Sequence, residues 1–214
     1  MSKRQYGFTL VEIAIVLAIV GLLIGGVLKG QDMLTSARLK RFESDNSGIA
    51  AAVASYQDRY MVLPGDDGRA SQRFSIYFDG SNDPAAEDID GNGNGSIEGN
   101  WLGLANSETA NSWKHLRASG LIPGGGDDDS QPSNAFGGRI GIRDGAMLLA
   151  GHVTVFGSID GPAAKIIESR LDDGAPLSGR IQSDFTAVQI DGVIASSAGA
   201  VYLDSLEYFM AVRL

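Results

Sequence analysis

The chain begins with an apolar run from Phe8 to Leu28 that contains a single acidic residue, Glu12. The run has 21 residues, close to the roughly 20 apolar residues that a helix needs to cross a bilayer. An ordinary secretory signal has a shorter apolar region of about 7–15 residues, so this run is too long for that class. Because an unpaired carboxylate is costly in hydrocarbon, Glu12 is a candidate functional residue. The simplest alternative is a plain single-pass anchor.

The helical pattern continues well beyond the apolar run. Residues 8 to 60 contain no proline and are predicted to be helical throughout. The pair Gly25 and Gly26 weakens this helix and is the predicted place for a bend or local melting. In the second half, apolar residues recur at steps of seven, four, three and four, as on one face of an amphipathic helix: Phe42, Ile49, Val53, Tyr56 and Tyr60.

The second part of the chain predicts a mixture of helices and strands. The stretch Leu63-Pro64-Gly65-Asp66-Asp67 is a strong turn signal that ends the long helix. The fold class is therefore α+β, a long N-terminal helical rod that carries a β-containing globular head. Asp66 and Asp67 are candidates for capping or anchoring this head. The elements predicted in the head are a helix over 108–119, strands over 138–143 and 146–159, a helix over 161–171, and strands within 185–193 and 201–214.

The string Gly7-Phe8-Thr9-Leu10-Val11-Glu12-Ile13 resembles the N-terminal signal of type IV pilins and pseudopilins. In that family a short basic leader ends in glycine, phenylalanine comes next, and glutamate is the fifth residue of the hydrophobic helix. The resemblance implies that prepilin peptidase cleaves between Gly7 and Phe8 and N-methylates Phe8. It also implies that Glu12 is the acid tied to assembly. The leader would then lie in the cytoplasm and the head outside.

Three roles are open for Glu12 on physical grounds. Cleavage leaves a cationic amine on Phe8, and a neighbouring subunit could bring its own amine to Glu12 and so favour one axial register. Phe8 is also four residues before Glu12, which permits a pair within one subunit. The third option places Glu12 at the headgroup boundary, about 6 Å deep by helix rise.

The resemblance divides the chain and implies its partners and location. The expected function is a structural subunit of a type IV pilus or a related pseudopilus, polymerised through its N-terminal helix. Its expected partners are other pilin-like subunits in a homo- or hetero-polymer, prepilin peptidase, an inner-membrane assembly platform and the membrane. The precursor would be a single-pass inner-membrane protein with a periplasmic head, and the mature subunit would join a pilus or pseudopilus, with an extracellular location for a pilus. The predicted segments are a leader over 1–7, a transmembrane and assembly helix over 8–28, the amphipathic half of the rod over 29–60 and the head over 61–214.

A second motif, over residues 88–98, predicts a calcium loop. From Asp90 onward, oxygen-bearing side chains recur at every second residue and a glycine comes after the third, as in the first nine positions of an EF-hand-type loop. The twelfth position is Trp101 instead of a bidentate acid, so we expect weak affinity, in the range of about 10⁻⁴–10⁻³ M. The alternative is a solvated turn without metal. Calcium is the one cofactor that the sequence suggests, and its predicted ligands are Asp90, Asn92, Asn94, the Ser96 carbonyl and Glu98.

Composition and missing motifs exclude several other functions. The net charge of −9 argues against nucleic acid as a partner, because phosphate binding needs a basic face. The chain has no cysteine, so the C-terminal disulfide loop of many major type IV pilins cannot form. Hydrolase, metalloprotease and nucleotide-binding motifs are absent, and we predict no enzyme activity. His115 and His152 are predicted to be packing or surface residues.

The class of pilin-like protein stays open. The Leu-Pro-Gly-Asp stretch at 63–66 and the later Trp113, Leu116 and Gly120-Leu121-Ile122 resemble a large group of pilin-like bacterial proteins. The competing function is a membrane-anchored periplasmic binding module that never polymerises. Such a protein would keep residues 1–7 and would need Glu12 only as a boundary residue.

Overall fold

The computed structural model describes residues 9–77, 89–103, 107–184 and 201–214. The chain divides into two compact units, Met1–Lys40 and Arg41–Leu214. The first helix, α1, spans Leu10–Tyr60, and its residues from Arg41 onward belong to the second unit. This confirms the predicted long helix. Gly25 and Gly26 do not interrupt it, so the local melting predicted at this pair is not seen.

In the described part of the second unit, three further helices and four strands come after the turn at residues 63–67. The strands form one antiparallel sheet with the order β1-β2-β4-β3, which confirms the predicted α+β class. The predicted strand within 185–193 lies outside the described residues. The helices are α2 (Ala70–Arg73), α3 (Glu108–Ala118) and α4 (Gly161–Leu171), and the strands are β1 (Ile140–Ala146), β2 (Leu149–Asp160), β3 (Ile181–Asp184) and β4 (Glu207–Arg213).

Side-chain caps fix the starts of α3 and α4. Ser107 precedes α3, and its hydroxyl accepts a hydrogen bond from the backbone N–H of Ala110. The carboxylate of Asp160 accepts from the N–H of Ala163 in the same way, and Pro162 occupies the first turn of α4. Each such cap typically contributes about 1 kcal/mol of helix stability.

The part of α1 from Arg41 onward covers one face of the sheet. The rings of Phe42 and Phe156 lie 4.3 Å apart, centroid to centroid, and the hydroxyl of Thr154 donates to Oδ1 of Asn46 over 2.6 Å. Burying an aromatic side chain of this size contributes about 1.5–3 kcal/mol. The predicted amphipathic face is confirmed, because Phe42, Ile49, Val53 and Tyr56 are buried and Tyr60 is half-buried.

The opposite face of the sheet packs on Trp101. Its ring meets Phe209 edge-on at 5.3 Å, and Val153, Val155 and Ala211 complete this part of the core. Trp101 and Trp113 are both buried, as predicted. The loop that precedes Trp101 is therefore anchored on the sheet at one end.

Candidate functional site

The start of α1 holds Glu12 in a reciprocal capping arrangement. Leu10 is the first helical residue, so Thr9 occupies the N-cap position and Glu12 the third position of the helix. The N–H of Thr9 donates to Oε2 of Glu12 over 2.8 Å, and the N–H of Glu12 donates to Oγ1 of Thr9 over 3.3 Å. The Thr9 hydroxyl also donates to the same Oε2 over 2.7 Å. This is a capping box, a pattern that satisfies backbone donors left free at a helix start.

Only one oxygen of Glu12 is used in this cap. Both bonds from Thr9 reach Oε2, and within the described part of the chain Oε1 has no partner. Glu12 is exposed, so Oε1 is open to a group from outside the chain. The cap and a charge pair are therefore compatible. Gly7 and Phe8, the predicted cleavage pair, lie outside the described residues.

The apolar part of α1 has no packing partner among the described residues of its own unit. Large apolar side chains are exposed on every side of the helix, with Leu10 at 85% and Leu22 at 79% of their full exposure. In the described residues, α1 is the one helix that is long and apolar enough to cross a membrane, judged by length and composition. A helix that is apolar all round belongs in lipid or among other apolar helices.

In the head, the predicted calcium loop is folded around a buried carboxylate. Asp66 is 2% exposed. Its Oδ1 accepts from the N–H groups of Gly93 and Asn94 over 2.6 and 3.0 Å, and its Oδ2 accepts from Gly95 over 2.7 Å. Such a concave set of backbone N–H groups suits an anion. The idea that Asp66 anchors the head is confirmed.

Glycines allow the loop to approach Asp66 this closely. A Cβ on Gly91 would lie 2.3 Å from the Cα of Asp66 and 2.4 Å from the Gly65 carbonyl oxygen. Gly93 and Gly95 have φ angles of 73° and 85°, which glycine adopts without steric cost. The glycine of the predicted EF-hand turn, Gly95, therefore serves, with Gly91 and Gly93, a loop wrapped on a carboxylate.

The structure brings only some of the predicted calcium ligands together. The side-chain amides of Asn92 and Asn94 donate to Glu98 over 3.4 and 3.0 Å. Asp90 instead accepts from the N–H and hydroxyl of Ser71, each over 2.8 Å. The Ser96 hydroxyl donates to Asp144 on β1.

The amide oxygens of this loop are also engaged. Oδ1 of Asn92 accepts from the N–H of Asn94, and Oδ1 of Asn94 accepts from the N–H of Ser96. A cation bound by these oxygens would have to displace or share those bonds. Calcium binding at the loop stays a prediction.

His115 links the loop at 88–98 to the end of α1 and the turn that comes after it. Its Nδ1 accepts from the N–H of Gly65 over 2.8 Å, so Nε2 carries the proton and donates to the Ile89 carbonyl over 2.8 Å. The ring stacks on Tyr56 with centroids 6.0 Å apart. Burial lowers the pKa of His115 to about 4, because no charged form can be solvated there. The predicted packing role of His115 is confirmed.

Asp67 and Glu108 complete the same network. Asp67 accepts from the Tyr56 hydroxyl over 2.9 Å and pairs with Arg73 at 3.2 Å. Glu108, in the first turn of α3, accepts from the N–H groups of Asn92 and Glu98. No motif in the sequence predicts these two contacts of Glu108. Partners in this network are up to 50 positions apart, as for Gly65 and His115, and no local pattern marks them.

Comparison with known proteins identifies the N-terminal signal. Residues 2–28 match the family model of the prokaryotic N-terminal methylation motif. The match confirms the predicted prepilin-type signal, and it supports a type IV pilin-like protein that prepilin peptidase processes. No curated protein and no solved structure matches the chain. The long apolar helix and the antiparallel sheet agree with an α+β pilin fold.

Proposed function

We propose that this chain is a structural subunit of a type IV pilus or a related pseudopilus, polymerised through its N-terminal helix. The observation that carries the proposal is the methylation motif at residues 2–28, joined to an apolar helix whose start holds Glu12 in a cap. A pilin-type signal points to a structural protein. Its partners would be prepilin peptidase, an assembly platform in the inner membrane and other pilin-like subunits.

The exposure of apolar side chains on every side of α1 supports assembly. Before assembly the precursor would lie in the inner membrane with lipid around this helix and its head in the periplasm. After extraction, the same surface would be buried against the helices of neighbouring subunits. One exposed apolar helix thus fits both environments, while an ordinary anchor needs only the first.

In the proposed filament, Glu12 has two separable roles. Its Oε2 caps the helix through Thr9, and its Oε1 would accept the amine that cleavage creates on Phe8 of a neighbouring subunit. A charge-assisted hydrogen bond of this kind contributes about 1.5–3 kcal/mol. The pair would select one axial offset between adjacent helices.

Glu12→Gln separates the two roles because glutamine also completes a capping box but carries no charge. The precursor should still be cleaved, and incorporation into the filament should fall by tenfold or more, as about 1.4 kcal/mol corresponds to tenfold. Thr9→Ser keeps the capping hydroxyl and is the matched control, with processing and incorporation both retained.

The readouts are the N-terminal mass of the membrane form and the amount of protein in sheared surface filaments or in the membrane-associated pseudopilus fraction. Normal incorporation of Glu12→Gln would reduce Glu12 to a helix cap. A wild-type protein that keeps residues 1–7 and has no filament form would favour the membrane-anchored binding module.

A further inference from the structure

Three carboxylates meet at the C-terminal end of α4. Glu168, Asp172 and Asp173 each place an oxygen within 4.8 Å of the other two. Acidic groups are unfavourable there, because the carbonyl end of a helix carries partial negative charge. Glu168 and Asp172 are also four residues apart, a spacing at which like charges repel. The arrangement therefore costs electrostatic energy unless a positive group is bound.

Glu168 has no such group among the residues that the structure describes. The side chain is 0% exposed, and neither of its carboxylate oxygens has a hydrogen-bond partner. The nearest cation in sequence, Arg170, pairs with Glu43 at 3.3 Å. Burying a carboxylate without any partner is among the costliest arrangements in a protein.

The two aspartates are fixed in place by the loop after α4. Asp172 accepts from the N–H of Ile181 over 2.7 Å, at the first residue of β3. Asp173 accepts from the N–H of Ala175 over 2.9 Å and from the Ser178 hydroxyl over 2.6 Å. Each carboxylate oxygen has a second lone pair, so these bonds leave acceptor capacity for a cation.

We propose that Glu168, Asp172 and Asp173 bind a calcium ion. Donors that are all carboxylate oxygens select hard cations over zinc or copper. Calcium lies about 2.3–2.6 Å from its ligands, so oxygens up to roughly 5 Å apart can share one ion, whereas magnesium requires a tighter and more regular set. The ion supplies the partner that Glu168 lacks and links the last turn of α4 to the start of β3.

This site is separate from the loop at 88–98 and does not depend on filament assembly. The test is thermal unfolding and calorimetric titration of the full chain in detergent, with calcium chloride or with a chelator. With a dissociation constant near 10⁻⁴ M, 10 mM calcium should raise the Tm of the wild-type chain by about 5–10 °C. Magnesium at the same concentration should have a smaller effect.

Glu168→Gln keeps the shape of the side chain and removes its charge. In chelator it should be as stable as the wild-type chain or more stable, because the Glu168 carboxyl has no hydrogen bond there to lose. In calcium it should be the less stable of the two, with binding weakened about tenfold or more. This reversal of order distinguishes a lost ligand from a damaged fold. Asp90→Asn, in the loop at 88–98, is the matched control and should keep the part of the calcium effect that Glu168→Gln loses.

Absence of any calcium effect on the wild-type chain would overturn the proposal. So would an equal calcium shift in the wild-type chain and in Glu168→Gln. A shift that is lost in Asp90→Asn but kept in Glu168→Gln would assign calcium to the loop at 88–98 and would also overturn it.

Discussion

Replacing Asp66 by asparagine tests the network that holds the head loop. The carboxylate accepts three backbone N–H groups, two at Oδ1 and one at Oδ2. Asparagine keeps one oxygen and places an amino group at the other position, where it faces an N–H donor. At least one charge-assisted bond is lost, at about 1.5–3 kcal/mol, and a buried donor is left without an acceptor. We expect Asp66→Asn to lower the free energy of unfolding by about 3 kcal/mol.

Urea unfolding followed by tryptophan fluorescence measures this effect in the full chain in detergent. The chain has two tryptophans, Trp101 and Trp113, and both lie in the second unit, so the signal reports on the head. Glu98→Gln is the matched control. Glu98 accepts from side-chain amides at an exposed position, so its replacement should cost less than about 1 kcal/mol.

If Asp66→Asn unfolds at the same urea concentration as the wild-type chain, the role given to this carboxylate is refuted. Repeating the pair of variants in calcium and in chelator also tests the predicted calcium loop. If Glu98→Gln becomes as costly as Asp66→Asn only when calcium is present, then Glu98 is a calcium ligand.

Two further predictions concern the same unit. His115 is neutral in the folded chain, where its pKa is about 4, but it takes up a proton near pH 6.5 in the unfolded chain. The free energy of unfolding is therefore highest above pH 6.5 and falls by about 3 kcal/mol as the pH is lowered toward 4. The urea midpoint of the wild-type chain should fall from pH 7.5 to pH 6 and again to pH 5, and a flat profile would contradict the buried neutral ring. Arg117→Lys should cost about 2 kcal/mol, because the guanidinium donates to three backbone carbonyls that one ammonium cannot reach together. The control Arg59→Lys, which loses one exposed bond, should be near neutral in the same urea assay, and equal costs for the two variants would argue against the Arg117 contacts.

Local signals predict most of the elements. Helix α4 has the predicted bounds because Gly161-Pro162 begins it and Asp172-Asp173-Gly174 ends it, and both are signals of short range. Strand β3 is not predicted because Ile181–Asp184 contains one strongly apolar residue, although all four residues are buried. Its burial comes from pairing with β4, which no pattern within four residues can show.

The residues of the candidate site are likewise predictable only where a local sequence pattern marks them. Glu12 is identifiable because a carboxylate in an apolar run stands out by itself, but its capping bond with Thr9 is not among the predictions, although Thr-x-x-Glu is a known capping pattern. The glycine-rich loop predicts a cation site because its period matches calcium ligands. The carboxylate at its centre, Asp66, lies 27 positions before Gly93 and is joined to it only by the fold.

The most direct test of the pilin-like assignment is the mass of the N-terminal peptide, from protein purified out of its native membrane or from sheared surface material. We predict a chain that begins at N-methylated Phe8. A chain that still begins at Met1 or Ser2, in a cell with an active prepilin peptidase, would contradict the assignment and leave the apolar helix as an ordinary anchor.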